Sequence, residues 1–475
     1  MQNDVIFLSP KIGWILLAIF SIVWVGLGIY WGQKNKKFED HALAGRNVGL
    51  TLASATAVAT WITSNTTMLA PQFALQMGVW GMLAYSTAAF GLFLFAPMAK
   101  RIHKLMPNGY TSGDFIRLRY GKVAWGIFLC FTLFYSLTWL VSMAMAGGIL
   151  LNSLSGIPYM YGMSVILAVC VIYTMRGGLF AVIGTDFIQS LIILIGIVVV
   201  GFAVLSNVSI DDIHTNLLLY KPALLDVMFP AAIMAVFNNL LFGLGEVFHN
   251  NVWWSRAFAF REGIGKKAFF ISGLIWLPIP IAAGFIALAS GALGVAVPNP
   301  DMVGPLVVAN ILGEVGAIAI FIIVFCSLAS SIDSLLAATS DLIAEDVYRK
   351  LFRPKANAQQ LKKAAQIITL LLGLGTWAIC LPRIGTLATV LFFAGPMVGS
   401  MIWPIVTGLY WKRASSHGAI SGMLLGSAVG LLTYFEIGWY VASLVGTAVS
   451  MACVLFCAYC YPAKYNWNNL REEGL

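Results

Sequence analysis

The chain of 475 residues is 60% hydrophobic and only 10% charged, far too little charge to cover the surface of a soluble protein of that length. It therefore reads as an all-α, polytopic membrane protein, and its formal net charge of +9 is to be read loop by loop, not as affinity for nucleic acid. The seven cysteines fall almost entirely in apolar runs, and Cys457-Ala-Tyr-Cys460 lacks a second ligand pair, which argues against a metal or redox centre.

Thirteen spans follow in chain order: 12–32, 48–70, 79–99, 123–152, 158–175, 181–206, 226–247, 266–290, 305–345, 362–381, 384–410, 416–435 and 438–461. Each approaches or exceeds the ~20 residues a helix needs to cross a bilayer, and the longest are expected to bend or to extend beyond it. The first is as long as a full span, so no cleavable signal is expected. With the N-terminus outside, cytoplasmic segments hold 25 of the 28 Lys and Arg residues, and the outside segments hold only Lys11, Lys221 and Arg383. That asymmetry supports the span count and an orientation with the N-terminus out and the C-terminus in, as in a plasma or inner membrane.

The second span is the least helical. Its stretch Ala59-Thr60-Trp61-Ile62-Thr63-Ser64-Asn65-Thr66-Thr67 is crowded with β-branched and hydroxylic residues and is followed by Ala70-Pro71. A helix broken at mid-membrane is expected there, since non-helical backbone is tolerated at that depth only where it lines a cavity. The alternative is a continuous helix whose threonines bond back to their own backbone.

Between spans 3 and 4 lies a basic, partly helical cytoplasmic segment from His103 to Gly121, read as an orientation anchor. Arg176-Gly177-Gly178 makes a tight cytoplasmic turn and opens the sixth span, where Asp186 and Gln189 lie one helical turn apart. Asp186 is either an ordinary helix-start carboxylate or faces the polar cluster of the ninth span. The seventh span carries Pro230, Asn238-Asn239 and Gly243-Leu244-Gly245-Glu246 and is similarly irregular. Spans 2 and 7 occupy matching places if spans 2–6 and 7–11 are two inverted five-helix repeats.

The ninth span holds Ser327, Ser330, Ser331 and Ser334 at i, i+3, i+4 and i+7, one helix face, with Asp333 at its edge. Small serines alone would serve close helix packing. A carboxylate among them is expensive at bilayer depth, and hydroxyl and carboxylate oxygens suit a hard cation.

These residues match a known family. Gly177-Gly178-Leu179-x-Ala181-x-x-x-Thr185-Asp186-x-x-Gln189, Ser330-Ser331 continuing to Asp346-Val347-Tyr348, and Pro107-Asn108 with Arg119-Tyr120-Gly121 resemble the sodium/solute symporter family over almost the whole length. The resemblance implies a transport core of ten helices in two inverted repeats, 48–225 and 226–415, with broken first and sixth core helices. Flanking it are a peripheral helix and loop, 1–47, and two peripheral helices with a short cytoplasmic tail, 416–475. It implies sodium as the coupling ion, held by carbonyls of Ala59 and Ile62 and by Ser327, Ser330 and Ser331. A second cation position seen in some relatives maps onto Asp186, Ser330, Asp333 and Ser334. The sequence departs from the family at Asp333, where a hydroxyl is more usual; that carboxylate either strengthens a cation site, carries a proton or pairs with a base.

Within the family, Trp253-Trp254-Ser255-Arg256-Ala257, Gly273-Leu274-Ile275-Trp276-Leu277-Pro278-Ile279-Pro280 and Val398-Gly399-Ser400 are most similar to the urea/polyamine branch. Thr63 and Thr66, with Asn238, Asn239, Glu246 and Asn250 of the broken sixth core helix, are the expected solute contacts. Glu246 would suit urea or an organic cation, or would pair with Arg256. The expected function is sodium-coupled import of a small polar solute, urea or a polyamine, by alternating access. Alternatives are an amino acid, carboxylate or sugar-like solute on the same fold, or a transporter-like sensor, although the roughly fourteen residues after the last span do not read as a signalling module. An enzyme is not expected: there is no paired nucleophile and base and no phosphate loop. The expected partners are the solute, sodium and the bilayer, with no nucleic acid and no obligate protein.

Overall fold

The computed structural model describes residues 6–33, 35 and 37–471. Lys34 and Lys36 of the first basic loop, the start of segment 1–47 and the last four residues of the tail lie outside the described residues. Eleven continuous helical segments among the described residues are long and apolar enough to cross a bilayer. Two of them, Asn65–Leu105 and Tyr159–Asn207, turn back at Gly78 (φ +64°) and Gly178 (φ +53°). With the short helix Leu50–Trp61 leading into the first of these, the eleven segments correspond to the thirteen spans read from the sequence.

The reversals explain where predicted and observed boundaries differ. The ninth span was expected over 305–345, but the helix Val303–Leu342 folds back at Gly313 (φ 59°, ψ −138°), so 303–312 is a separate short arm and the crossing begins after it. The helical run Pro300–Phe352 that contains this crossing is the most buried of the candidate spans, at 78%, against 22% for Pro10–Gly32. The first marks the centre of the bundle and the second its rim. The eleventh span is in three pieces, Leu387–Phe392, Gly395–Ser400 and Ile402–Tyr410. An exposed helix, Ile210–Tyr220, follows the sixth span and was not anticipated.

Both predicted breaks are present, one of them displaced. The second span's helix Leu50–Trp61 stops at Ile62, whose ψ of 86° leaves the helical region. It resumes through a widened turn, Asn65–Leu69, and a helix that takes Pro71 in its first turn. Local hydroxyls hold the break: the Thr63 amide donates to Thr66 Oγ1 at 3.2 Å, and Thr66 Oγ1 donates to the Trp61 carbonyl at 3.1 Å. This is the competition between short polar side chains and the backbone ladder that makes such residues poor in helix interiors. In the seventh span, the predicted irregular stretch 238–246 is instead continuous helix, Pro230–His249. The interruption falls at Asn250 (φ −71°, ψ 132°), whose side chain caps a second helix, Asn251–Ala259, by accepting from the Val252 amide at 2.9 Å. The Asn and Gly pairs lower helix propensity without breaking the helix; the cap does.

Candidate functional site

The broken first core helix and the serine face of the ninth span meet. Ending the helix at Ile62 frees the carbonyls of its last turn, and each finds a side-chain donor. Ser330 Oγ donates to Ala59 O at 2.9 Å, Ser331 Oγ to Thr60 O at 3.2 Å, and Trp276 Nε1 to Trp61 O at 2.6 Å. Both serines are wholly buried, and both also reach the Ser327 carbonyl at 3.0 Å. Ser327 Oγ itself donates to Ile323 O at 2.7 Å, on its own helix. Of the five residues expected around sodium, Ala59, Ser327, Ser330 and Ser331 are therefore joined by hydrogen bonds, and Ile62 marks the break beside them. The carbonyl and hydroxyl oxygens gathered here are hard donors of the kind alkali cations accept.

One turn further along the ninth span is a charged cluster. Asp186, Asp333 and Ser334 are all brought to it, together with Arg256, which the sequence reading set against Glu246, and Thr56 and Thr60, which it missed. The Arg256 guanidinium lies 3.3 Å from Asp186 Oδ2, both side chains being fully shielded. Arg256 Nη2 donates to Thr60 Oγ1 at 2.6 Å and to Ser334 Oγ at 2.8 Å, and Thr56 Oγ1 donates to Asp186 Oδ2 at 2.5 Å. Asp333 Oδ2 accepts from the Tyr173 hydroxyl at 2.8 Å and lies 3.4 Å from Thr185 Oγ1. Arg256 thus pairs with Asp186, not with Glu246. Thr56 and Thr60, four residues apart and so on one helix face, were visible in the sequence as a pair pointing the same way. Arg256, a lone base after two tryptophans, was the other available signal.

Beside the break is a small cavity. Trp61, Tyr85, Tyr135, Trp139 and Trp276 wall it, and Thr63, Asn239 and Glu246 supply polar groups. Glu246 and the Tyr135 hydroxyl are buried there beside each other, and neither Glu246 Oε1 nor the Tyr135 hydroxyl makes a hydrogen bond of good geometry to any other described residue. Three of the six expected solute contacts do not line this cavity. Thr66 is used to stabilise the break, and Asn250 caps a helix. Asn238 Oδ1 accepts from the Ser443 amide at 2.9 Å and the Leu444 amide at 3.3 Å, facing the last span. Sequence spacing places residues on a helix but does not show which neighbour each face meets, and the aromatic walls come from spans far apart in the chain.

At the far end of the ninth span, Asp346 ties it to the loop before the fourth. It accepts from Thr111 Oγ1 at 2.6 Å and from Trp125 Nε1 at 2.8 Å. Lys350 bridges Asp346, at 2.8 Å, to Asp114 of the helix Ser112–Tyr120.

Comparison with known proteins gives the following. A family model described as the sodium:solute symporter family matches residues 41–426. A urea-proton symporter of Oryza sativa subsp. japonica is 26% identical, over 96% of this chain and 71% of the relative. An osmoregulated proline transporter of Bacillus subtilis is 27% identical, over 88% of each. Among solved structures, the substrate-bound outward-open state of a Na+-coupled sialic acid symporter superposes with a TM-score of 0.79. That likeness covers 96% of this chain and 99% of that one at 18% identity. It shows the fold: an all-helical transporter built on inverted five-helix repeats, as expected from the spacing of the two broken spans.

Proposed function

Because the chain belongs to the sodium:solute symporter family, we propose that it imports urea, or a solute that presents several N–H donors, by coupling to sodium. The coarser reading follows from the family: a multi-pass membrane symporter for a small solute and an ion, and not an enzyme. The loop asymmetry supports a plasma or inner membrane with the N-terminus outside and the C-terminus in the cytoplasm.

In this reading sodium binds among the Ala59 and Ile62 carbonyls and the Ser327, Ser330 and Ser331 oxygens. The two serine hydroxyls that now donate to freed carbonyls turn their lone pairs to the ion instead. The ion then fixes the break, and the break positions Thr63 and Trp61 in the wall of the adjacent cavity. Sodium and solute thereby raise each other's affinity through one shared coupling free energy. Rocking of the bundle exposes both to the cytoplasm, and one charge moving down 100 mV contributes about 2.3 kcal/mol. At the second position, Asp186 and Ser334 already contact Arg256, a cation that cannot leave, which favours a single exchangeable sodium.

The observation that carries the solute assignment is Glu246. A buried carboxylate in an aromatic-walled cavity, with the Tyr135 hydroxyl beside it and no ion pair among the described residues, is costly unless further donors reach it. Urea offers four N–H donors for Glu246 and a carbonyl for Thr63, Asn239 or Tyr135; the ammonium end of a polyamine would meet the same carboxylate and rings. The similarity to a urea-proton symporter supports this choice over proline. The test is uptake of labelled urea into proteoliposomes under an inward sodium gradient, with unlabelled proline and polyamines as competitors. Sodium-stimulated urea uptake that proline does not compete is expected. Uptake of proline but not urea, or urea uptake indifferent to sodium, would overturn the assignment.

A further inference from the structure

Asp341 lies on the ninth span, seven residues beyond Ser334. Seven residues are two turns, so it continues the serine face about 10 Å further along the axis. Its side chain is 4% exposed, and both carboxylate oxygens are buried without a hydrogen bond. No other carboxylate among the described residues is left in that state on both oxygens. Facing it is His41, of the short helix Phe38–Leu43 that precedes the second span. His41 Nε2 is 3.9 Å from Asp341 Oδ1, too far for a hydrogen bond, and also lacks a partner.

The hydrogen-bond pattern fixes the imidazole. Asn35 Nδ2 lies 3.2 Å from the Arg176 carbonyl and 2.7 Å from His41 Nδ1. The carbonyl only accepts, so this Asn35 atom is the NH2 donor and His41 Nδ1 accepts from it, which leaves the imidazole proton on Nε2, directed at Asp341. Burial, reinforced by the Lys362 ammonium, holds His41 down to about 3, so it brings no positive charge to the carboxylate. Among the described residues, the other charged group that acts on Asp341 is Glu345, on its own helix, which is paired with Arg349 at 3.0 Å.

Among the described residues, an ionised Asp341 would here be a buried anion without a hydrogen bond or a cation paired with it, a cost of several kcal/mol. The neutral acid carries no such cost. A metal cation is disfavoured, because the Nε2–H group points into the gap. We propose that Asp341, oriented by His41, is a proton-exchange site at the cytoplasmic end of the ninth span, loaded when that end is closed and emptied when it opens. As that end closes, the carboxylate takes a proton from a hydronium ion of the cytoplasmic water, whose O–H bond breaks to leave water while the carboxyl O–H bond forms; on opening, an entering water accepts the proton from the carboxyl and becomes hydronium. The inference rests on alternating access as proposed above, and not on the identity of the solute.

Infrared difference spectroscopy on the full chain in lipid nanodiscs tests it, at fixed sodium over pH 5–9, comparing wild type with Asp341→Asn, Asp341→Glu and His41→Gln. Wild type should show a protonated-carboxyl C=O band that Asp341→Asn loses, that Asp341→Glu restores at a shifted frequency, and whose pH midpoint moves in His41→Gln. In proteoliposomes, Asp341→Asn should flatten the dependence of sodium-driven urea uptake on lumenal pH. Superimposable carboxyl bands in wild type and Asp341→Asn at every pH would overturn the site. An unchanged lumenal-pH profile would overturn its role in the cycle. Absence of urea uptake in wild type would count against the solute reading and leave the infrared result standing.

Discussion

The guanidinium of Arg256 and the carboxylate of Asp186 face each other at 3.3 Å with neither side chain exposed. Arg256 comes from the second half of the broken sixth core helix, Asp186 from the sixth span, and the Thr56, Thr60 and Ser334 hydroxyls around them from the first core helix and the ninth span. One ion pair thus ties together four elements of the transport core.

Removing one partner of a buried pair strands the other charge, at a cost of roughly 3–5 kcal/mol. Asp186→Asn is therefore expected to lower the unfolding midpoint sharply, and Asp186→Asn combined with Arg256→Met to recover part of the loss. A thermal-unfolding double-mutant cycle measures this coupling. A double variant no more stable than Asp186→Asn alone would contradict the pairing.

Glu246 has no ion pair among the described residues, so Glu246→Gln should fold normally and act on the solute alone. Hydrogen bonds to a charged group contribute about 1.5–3 kcal/mol, which at 1.4 kcal/mol per decade raises the half-saturation concentration for urea roughly ten- to a hundredfold. Initial-rate uptake checks this, and an unchanged half-saturation would remove Glu246 from the solute site.

Gly178 turns the chain between the fifth and sixth spans at φ +53°, and a Cβ there would sit 2.5 Å from His41 Nδ1. Gly178→Ala combines that clash with left-handed strain of order 1–3 kcal/mol and should lower the melting temperature by several degrees. Gly126, with open space around it, is the control: Gly126→Ala should be neutral or slightly stabilising. Equal effects at the two positions would contradict the reversal.

Asp114 closes a capping box with Thr111 and pairs with Lys350. Burial, the largest influence, pushes its carboxyl up, but the Lys350 ammonium and the Tyr110 and Thr111 amides outweigh it and hold it below the usual range. A depressed folded value contributes stability that is complete above the unfolded value, about 3.9, and is lost only as pH falls through the folded one. The melting-temperature gap between wild type and Asp114→Asn should therefore stay constant from pH 8 to pH 5. A gap that closes within that interval would contradict the assignment.

The serine face of the ninth span, the break after Trp61 and the tight turn at Gly178 were legible because each is a local pattern: helical spacing, competing hydroxyls and paired glycines. The roles of Thr66, Asn238 and Asn250 were not, because a polar residue near a break serves as cap, as interhelical donor or as ligand depending on what packs against it. Arg256 was weighed as a partner of Glu246, ten residues away in sequence. In the folded chain it meets Asp186, seventy residues away, across an interface that no local pattern encodes.

The central claim is that the break at Ile62 and the Ser330–Ser331 turn hold the coupling ion. A ligand that binds only the folded state raises its stability in proportion to the logarithm of occupancy, so the direct measurement is the melting temperature of the purified protein titrated with sodium chloride, potassium chloride as control. Wild type should show a saturable rise with sodium and none with potassium, and Ser330→Ala/Ser331→Ala should lose that rise while still unfolding cooperatively. A double variant with the wild-type sodium response would contradict the account.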